Sequence, residues 1–183
     1  LMNALAAAAV ATCFDLNPAQ IGEALSTATP PRMRGEVLDF AAGFRVVDDS
    51  YNSNPRSLIN MVRTITEAGT SSRRRIVIAG EMLELGPDSA ALHREAGREI
   101  ARAGIDILWG VRGLASEVIK GANELGLAET SFFETSDEAA RKIVQIVKEG
   151  DLILIKGSRG VATDKIVRGI QEHFPLAGAD EEG

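Results

Sequence analysis

Hydrophobic positions follow two patterns that alternate along most of this chain. Segments such as 76–78 and 152–155 are apolar at every position, which is typical of strands buried on both faces of a parallel sheet. Between such segments, apolar residues recur every three or four positions, as on the buried face of a helix, for example along 58–65. The patterns predict six strands, at 36–40, 44–48, 75–79, 106–109, 131–133 and 151–155.

The connections between the predicted strands indicate how the sheet is arranged. Only residues 41–43 separate the first two strands, too few for a helical crossover, so these strands should form an antiparallel hairpin at one edge. Helical segments separate the other strands, as parallel strands require. The sequence therefore predicts an α/β fold: a Rossmann-like, mainly parallel sheet of about six strands with one antiparallel edge hairpin and helices on both faces.

The beginning of the chain has a different character. Two helices are predicted before the first strand, at 3–14 and 18–26, the second with Asn17 as its N-cap. Residues 29–32 interrupt the helical pattern, so a domain boundary is expected there. Because the chain starts at Leu1 with a helix already under way, we expect it to be a piece of a longer protein.

Composition and charge exclude several classes of partner. A formal net charge of −6 and a sequence pI near 5.0 leave no basic stripe for a phosphate backbone, so nucleic acid is not expected as a partner. The longest apolar stretch, 4–11, is too short to span a bilayer, so membrane insertion is not expected. The single cysteine, Cys13, cannot form an internal disulfide, and no Cys/His spacing indicates zinc, so a cytoplasmic location fits best.

The residues that follow each strand are candidates for a site, because ligands of open α/β sheets bind beyond the carboxyl ends of the strands. At the end of the second predicted strand lie Asp48 and Asp49, and a carboxylate there can accept hydrogen bonds from both vicinal hydroxyls of a nucleotide ribose. The alternative interpretation is that either aspartate only caps a turn. Asn54 and Pro55 then form a cap and first-turn pair for the next helix.

A second candidate turn, 80–86, follows the strand at 75–79. Gly80 would let a ligand approach the backbone, and Glu81 can bind an amine or orient a neighbouring cation. Solvation at the surface explains a Gly-Glu pair about equally well. His93, on the next helix, is interpreted as structural rather than catalytic.

The third candidate turn is the segment 156–160, which we call the 156–160 corner. Lys156 offers a point charge and Arg159 a planar fork, and both can bind a carboxylate or a phosphate. The alternative, a solvated loop, gives little reason for two glycines and two cations to follow a buried strand together. The chain contains neither Gly-x-x-x-x-Gly-Lys-Ser/Thr nor Gly-x-Gly-x-x-Gly, so this domain should complete a site that begins elsewhere.

Three motifs, in this order along the chain, are similar to those of a known family: DDSYNSNP at 48–55, GEMLELG at 80–86 and KGSRG at 156–160. Together they closely resemble the carboxyl-terminal half of the Mur ligases of peptidoglycan synthesis, in the branch that adds D-alanyl-D-alanine to UDP-N-acetylmuramoyl-tripeptide. The similarity runs to about Pro175, and the opening segment 3–8 resembles the end of the family's central, ATP-binding domain.

The resemblance implies a division of the chain and a reaction. Residues 1–33 would be the helical end of the central ATP-binding domain, residues 34–175 the Mur ligase carboxyl-terminal domain and residues 176–183 a disordered tail. In the family, ATP and Mg²⁺ activate the carboxylate of the UDP-linked peptide as an acyl phosphate. The amine of D-alanyl-D-alanine then attacks the acyl phosphate and forms the amide.

Carried over motif by motif, the resemblance also assigns roles to residues. Asn3 would face the adenine, Arg34 would lie near the nucleotide at the domain hinge, and Asp49 would hold the ribose hydroxyls. Lys156 and Arg159 are the implied catalytic residues, near the dipeptide carboxylate or the acyl phosphate. The implied substrate-binding residues are Tyr51, Asn52, Asn54, Glu81 and Ser158. No metal ligand is expected in this chain.

Several parts that the family's reaction needs would precede Leu1: the UDP-binding domain, the phosphate-binding loop and the magnesium ligands. The chain alone is therefore expected to be inactive and to close, as a mobile lid, over reactants held by its own upstream domains. Two other interpretations remain open. One is a phospho-accepting receiver domain, although the candidate middle strands end at Gly80 and Gly110 without the required aspartate, and the other is a nucleotide-binding module without a part in chemistry.

Overall fold

The structure, a computed structural model, describes residues 2–28, 31–68 and 72–178. Contacts divide the chain into two compact units, Leu1–Pro31 and Arg32–Gly183. Whether these units match the domains of a longer enzyme stays a prediction. Of the predicted tail, residues 179–183 lie outside the described residues.

The first unit is a pair of helices, α1 (Met2–Thr12) and α2 (Pro18–Thr27). Asn17 is the N-cap of α2, as the sequence predicts: its side-chain oxygen accepts hydrogen bonds from the backbone N–H groups of Ala19 and Gln20, both at 3.0 Å. The Gln20 side chain accepts in return from the N–H of Asn17 at 3.0 Å. This capping box satisfies N–H groups that the first turn of a helix leaves unpaired.

The second unit is a six-stranded sheet with strand order β1-β2-β6-β3-β4-β5. The β1–β2 pair is antiparallel and the other neighbouring pairs are parallel, so the predicted fold class is confirmed. In chain order the elements are β1 (Glu36–Asp39), β2 (Arg45–Asp49), α3 (Pro55–Ala68), β3 (Arg74–Gly80), α4 (Ser89–Arg102), β4 (Ile107–Val111), α5 (Ala115–Glu124), β5 (Glu129–Phe133), α6 (Ser136–Ile146), β6 (Asp151–Lys156) and α7 (Asp164–His173).

The edge hairpin also holds the carboxyl-terminal segment. Phe40 stacks on Phe44 across the turn with ring centroids 4.6 Å apart, and Phe174 meets Phe44 edge-on at 5.2 Å. Leu176 forms an isolated antiparallel bridge with Phe40, and the N–H of Ala177 donates to the carbonyl of Asp39 at 2.8 Å. The first residues of the predicted tail are therefore paired with the sheet.

Two hydrophobic cores lie on opposite faces of the sheet. In β6, Ile153 and Ile155 pack in the core that includes residues of α6 and α7. Their neighbours Leu152 and Leu154 pack in the core that includes residues of α3, α4 and α5. Because both faces of β6 are covered, alternation of apolar and polar residues is absent from this strand.

Helices α4 and α5 cross at very close range. A Cβ on Gly97 would lie 1.9 Å from the carbonyl oxygen of Val118, and a Cβ on Gly121 would lie 1.9 Å from the carbonyl oxygen of Arg94. Each glycine thus lets the backbone of the partner helix approach. The close crossing fixes α5 and, with it, the loop that links β4 to α5.

Candidate functional site

A buried ion pair joins the first and third predicted turns. The parallel register places Asp49 of β2 beside Lys156 of β6. The Lys156 ammonium donates to Asp49 Oδ2 at 2.6 Å and to the carbonyl of Asn52 at 2.8 Å, and the Lys156 side chain is only 3% exposed. Two turns that lie far apart in the sequence therefore meet at the carboxyl edge of the sheet, as predicted.

Ser158 connects the 156–160 corner to the other two turns. Its hydroxyl accepts a hydrogen bond from the N–H of Leu83 at 2.9 Å and donates a longer one to the carbonyl of Ser53 at 3.4 Å. Its own N–H donates to the carbonyl of Glu81 at 3.3 Å. Ser158 is buried, and its observed contacts hold the three turns together.

The carboxylate of Glu81 lies against the start of α5. Its Oε1 accepts from the N–H of Leu114 at 3.0 Å, just before the first helical residue. Gly113, at φ +48°, leaves space for it, since a Cβ there would lie 2.3 Å from Oε1. A negative charge at this end of a helix is favourable. That Glu81 also binds an amine or a substrate stays a prediction.

The glycines beside the corner make room for a neighbouring side chain. A Cβ on Gly80 would lie 2.7 Å from Thr163 Cγ2 and 3.0 Å from Gly157 Cα. A Cβ on Gly157 would lie 2.7 Å from the same methyl group. The expectation that Gly80 opens the backbone to a ligand is therefore wrong, because Thr163 and Gly157 occupy that space.

Two guanidinium groups are close to solvent beside the corner. The Arg159 side chain is 61% exposed, and its Nη1 lies 3.6 Å from Asp164 Oδ1. The Arg34 guanidinium lies over the ring of Tyr51, 4.1 Å from the ring centroid, in a cation–π contact. Tyr51 is itself 44% exposed, so these groups lie within reach of a ligand.

The asparagines of the first turn make local hydrogen bonds. Asn54 Oδ1 accepts from the N–H of Ser57 at 2.8 Å, which confirms the predicted cap of α3. Asn52 Oδ1 accepts from the N–H of Ser53 at 2.8 Å. Substrate contacts for both asparagines stay predictions. Asn3 lies in the first turn of α1, but its side chain lies outside the part of the chain that the structure describes.

Asp48 differs from its neighbour Asp49 because it faces the other side of the sheet. Its Oδ1 accepts from the N–H of Ser50 at 3.0 Å, so it caps a turn, as the alternative interpretation held. Burial raises the pKa of Asp48, and the nearby carboxylates of Glu36 and Asp164 raise this pKa further. Hydrogen bonding with Ser50 lowers this pKa, but the net shift is upward because burial is the largest contribution.

Sequence reasoning missed Arg112, which follows β4. It has a left-handed backbone, with φ 68°, and its Nη1 donates to the carbonyl of Gly160 at 2.5 Å. The sequence contains a related signal, because Arg112 is a cation before Gly113 three positions after the predicted strand 106–109, as Arg159 is a cation before Gly160. A fourth strand end therefore contributes to the site.

Two absences concern the described residues, 2–28, 31–68 and 72–178. They contain no group of three or more His, Cys, Asp or Glu side chains arranged to hold a metal ion. Among these same residues, no helix combines the length and the apolar character that crossing a membrane requires.

Comparisons with known proteins agree with the motifs. The family model "Mur ligase, glutamate ligase domain" matches residues 33–159. UDP-N-acetylmuramoyl-tripeptide--D-alanyl-D-alanine ligases of Bacillus subtilis and Escherichia coli are 28% and 33% identical over 94% of this chain, which covers 38% and 37% of their lengths. A MurF crystal structure from Acinetobacter baumannii matches 93% of this chain and 37% of its own, with TM-score 0.82 and 25% identity. The chain belongs to the Mur ligase family.

Proposed function

We propose that the chain is the carboxyl-terminal part of an ATP-dependent ligase that adds D-alanyl-D-alanine to UDP-N-acetylmuramoyl-tripeptide in peptidoglycan biosynthesis. The observation that carries this proposal is the meeting of the three motif turns at one sheet edge, joined by the Asp49–Lys156 pair and by Ser158. The names of the relatives, which match nearly the whole chain, support the choice of substrates.

The proposed reaction has two steps. A carboxylate oxygen of the tripeptide attacks the γ-phosphorus of ATP, so that ADP leaves and an acyl phosphate forms. The amine of D-alanyl-D-alanine then attacks the acyl carbon, inorganic phosphate leaves with the electrons of the broken bond, and the nitrogen loses a proton. Mg²⁺, held by upstream domains, would neutralise phosphate charge.

On the nucleotide side, Asp49 is the best-supported residue of this chain. Its Oδ2 holds Lys156, which leaves the second oxygen to accept from a ribose hydroxyl. Arg34, held over Tyr51, would lie near the phosphates or the ribose. Asn3 is assigned to the adenine on the resemblance alone.

On the dipeptide side, Arg159 is the residue that we assign to the carboxylate of D-alanyl-D-alanine or to the acyl phosphate. Its guanidinium is exposed, and a planar fork matches both groups. Lys156 would act by holding Asp49 and the first turn, since its ammonium is buried in that contact. Substrate contacts are proposed for a further set of residues: Tyr51, Asn52, Asn54, Glu81 and Ser158.

The proposal also concerns the setting of the reaction. Residues 1–33 would end the central ATP-binding domain, and residues 34–175 would close over the reactants and exclude water from the acyl phosphate. The partners would be the chain's own upstream domains and the two substrates. The enzyme would work in the cytoplasm.

The proposal can be tested with the full-length gene product. Phosphate release is measured with ATP, UDP-N-acetylmuramoyl-tripeptide and D-alanyl-D-alanine, and we expect release that requires all three. Arg159→Ala should raise KM for the dipeptide about tenfold, the effect of losing one charged hydrogen bond. Arg168→Ala is the matched control, because its side chain is also 61% exposed and pairs with the same Asp164. Release without the dipeptide, or equal effects of the two variants, would contradict the proposal.

A further inference from the structure

His93 is buried on α4, and both of its ring nitrogens are engaged. The N–H of Met82 donates to Nε2 at 2.9 Å, and Nδ1 lies 2.7 Å from the carbonyl oxygen of Ser89. A backbone N–H can only donate and a carbonyl can only accept. The contacts therefore require a neutral imidazole that carries its proton on Nδ1.

The contact from His93 reaches the middle of the second motif. Met82 stands between Glu81, whose carbonyl accepts from the N–H of Ser158, and Leu83, whose N–H donates to the Ser158 hydroxyl. The His93 imidazole thus binds the backbone of Met82, and both neighbours of Met82 bind Ser158. A change in the direction of the Met82 N–H would move both contacts.

The 156–160 corner depends on this segment in a second way. A Cβ on Gly160 would lie 2.9 Å from Leu83 Cδ1, so the Leu83 side chain packs directly on the corner. Arg159 lies between Ser158 and Gly160 and is therefore flanked by two positions that contact Leu83. The backbone of Arg159 is thus held on both sides, and its guanidinium extends from there to Asp164 Oδ1 at 3.6 Å and Met33 Sδ at 3.7 Å.

We propose that His93 is a positioning residue for the ligase reaction: through Met82 it fixes the segment that orients the 156–160 corner toward the incoming dipeptide. This inference rests on the proposed function. His93 touches no reactant in this scheme. Its contribution is the acceptor at Nε2, whereas the Nδ1 contact within α4 only holds the ring in place.

A matched pair of amide variants separates the two ring contacts. The oxygen of Gln in His93→Gln reaches the position of Nε2 and can accept from Met82, whereas Asn in His93→Asn reaches only the position of Nδ1. In the full-length ligase we expect His93→Asn to raise KM for D-alanyl-D-alanine about fivefold while KM for ATP changes less than about twofold, the effect of one lost hydrogen bond. His93→Gln should stay within about twofold of the original enzyme for both constants.

The control is His173→Asn, because His173 makes a similar contact within its own helix, from Nδ1 to the carbonyl of Gly169 at 2.8 Å, and is exposed. It should leave both constants unchanged. Equal loss in His93→Gln and His93→Asn, or no loss in either, would overturn the proposal while leaving the ligase activity itself established. An unaltered enzyme that does not ligate would instead refute the proposed function, and the positioning role with it.

A measurement on the unaltered enzyme covers the case in which His93→Asn does not fold. Nitrogen NMR of the ring, in full-length protein labelled at histidine, distinguishes a proton on Nδ1 from one on Nε2. We expect the His93 proton on Nδ1. A proton on Nε2 would leave Met82 without its acceptor and would overturn the proposal.

Discussion

Asp48 and Asp49 are adjacent in the sequence and yet have opposite electrostatic surroundings. Strand geometry turns successive side chains to opposite faces, so Asp49 contacts the Lys156 ammonium, whereas Asp48 is buried with the negative charges of Glu36 and Asp164 nearby. Asp49 thus has a cationic partner at 2.6 Å, whereas burial raises the pKa of Asp48. Removing the charge of Asp48 should raise the free energy of unfolding, and removing the charge of Asp49 should lower it.

Asp48→Asn is expected to stabilise the second unit at neutral pH. Because burial raises the pKa of Asp48, the folded state keeps this proton to a higher pH than the unfolded state does, and stability falls as pH rises through the folded pKa. The asparagine side chain does not ionise, so this loss of stability does not occur, and its oxygen can still accept from the N–H of Ser50. The advantage should disappear below the ordinary carboxyl pKa of about 3.9. The difference in free energy of unfolding between the variant and the original is measured by urea unfolding at several pH values, followed by the fluorescence of the single tryptophan, Trp109.

Asp49→Asn serves as the matched control for that experiment. It leaves the buried Lys156 ammonium without its counter-charge, so we expect a loss of about 3 kcal/mol at neutral pH. A variant of Asp48 that is no more stable than the original at neutral pH would contradict the pKa argument.

The sequence reveals some residues of the site more readily than others. Asp49, Lys156 and Arg159 could be found because each lies at or just beyond a strand end, a position that the fold brings to one edge. The contacts of His93 and Arg112 could not be found, since a hydrogen bond to a backbone group of another loop leaves no pattern in the sequence. The ion pair between Asp49 and Lys156 needed the strand order, which hydrophobic periodicity does not give.

At the scale of elements, the crossing of α4 and α5 leaves no room for a side chain at two positions. Two glycines, one on each helix, admit the backbone of the other helix. Helical periodicity predicts both helices but does not show which pair crosses closely. Strand β5 was likewise predicted too short, at 131–133 rather than Glu129–Phe133, because an edge strand is partly exposed and carries polar residues.

Gly121→Ala is expected to destabilise the second unit by about 2 kcal/mol, because the new methyl group would meet the backbone of α4 and force the helices apart. Trp109 lies on β4, beside α5, so its fluorescence during urea unfolding measures the free energy of unfolding of this unit. Gly169→Ala is the control on α7: its methyl group would lie 3.1 Å from Ala140 Cβ, a much looser approach than the 1.9 Å that separates a Cβ on Gly121 from the Arg94 carbonyl oxygen. Equal losses in the two variants would contradict the argument from helix packing.

At the scale of the whole molecule, the chain covers little more than a third of its relatives and lacks a phosphate-binding loop. We therefore expect the purified 183-residue chain to release no phosphate above background from ATP, UDP-N-acetylmuramoyl-tripeptide and D-alanyl-D-alanine. The full-length gene product provides the positive control in the same assay. Turnover by the chain alone would show that our division of labour between the domains is wrong.

The 156–160 corner, at the end of β6, is held by side chains and backbone groups from the ends of three other strands, β2, β3 and β4. A segment that is already ordered loses little conformational entropy on binding, so little of the contact energy with a reactant is offset. An inhibitor shaped to this corner would meet a rigid surface. Its affinity should therefore respond more to the fit of its charges than to the flexibility of the protein.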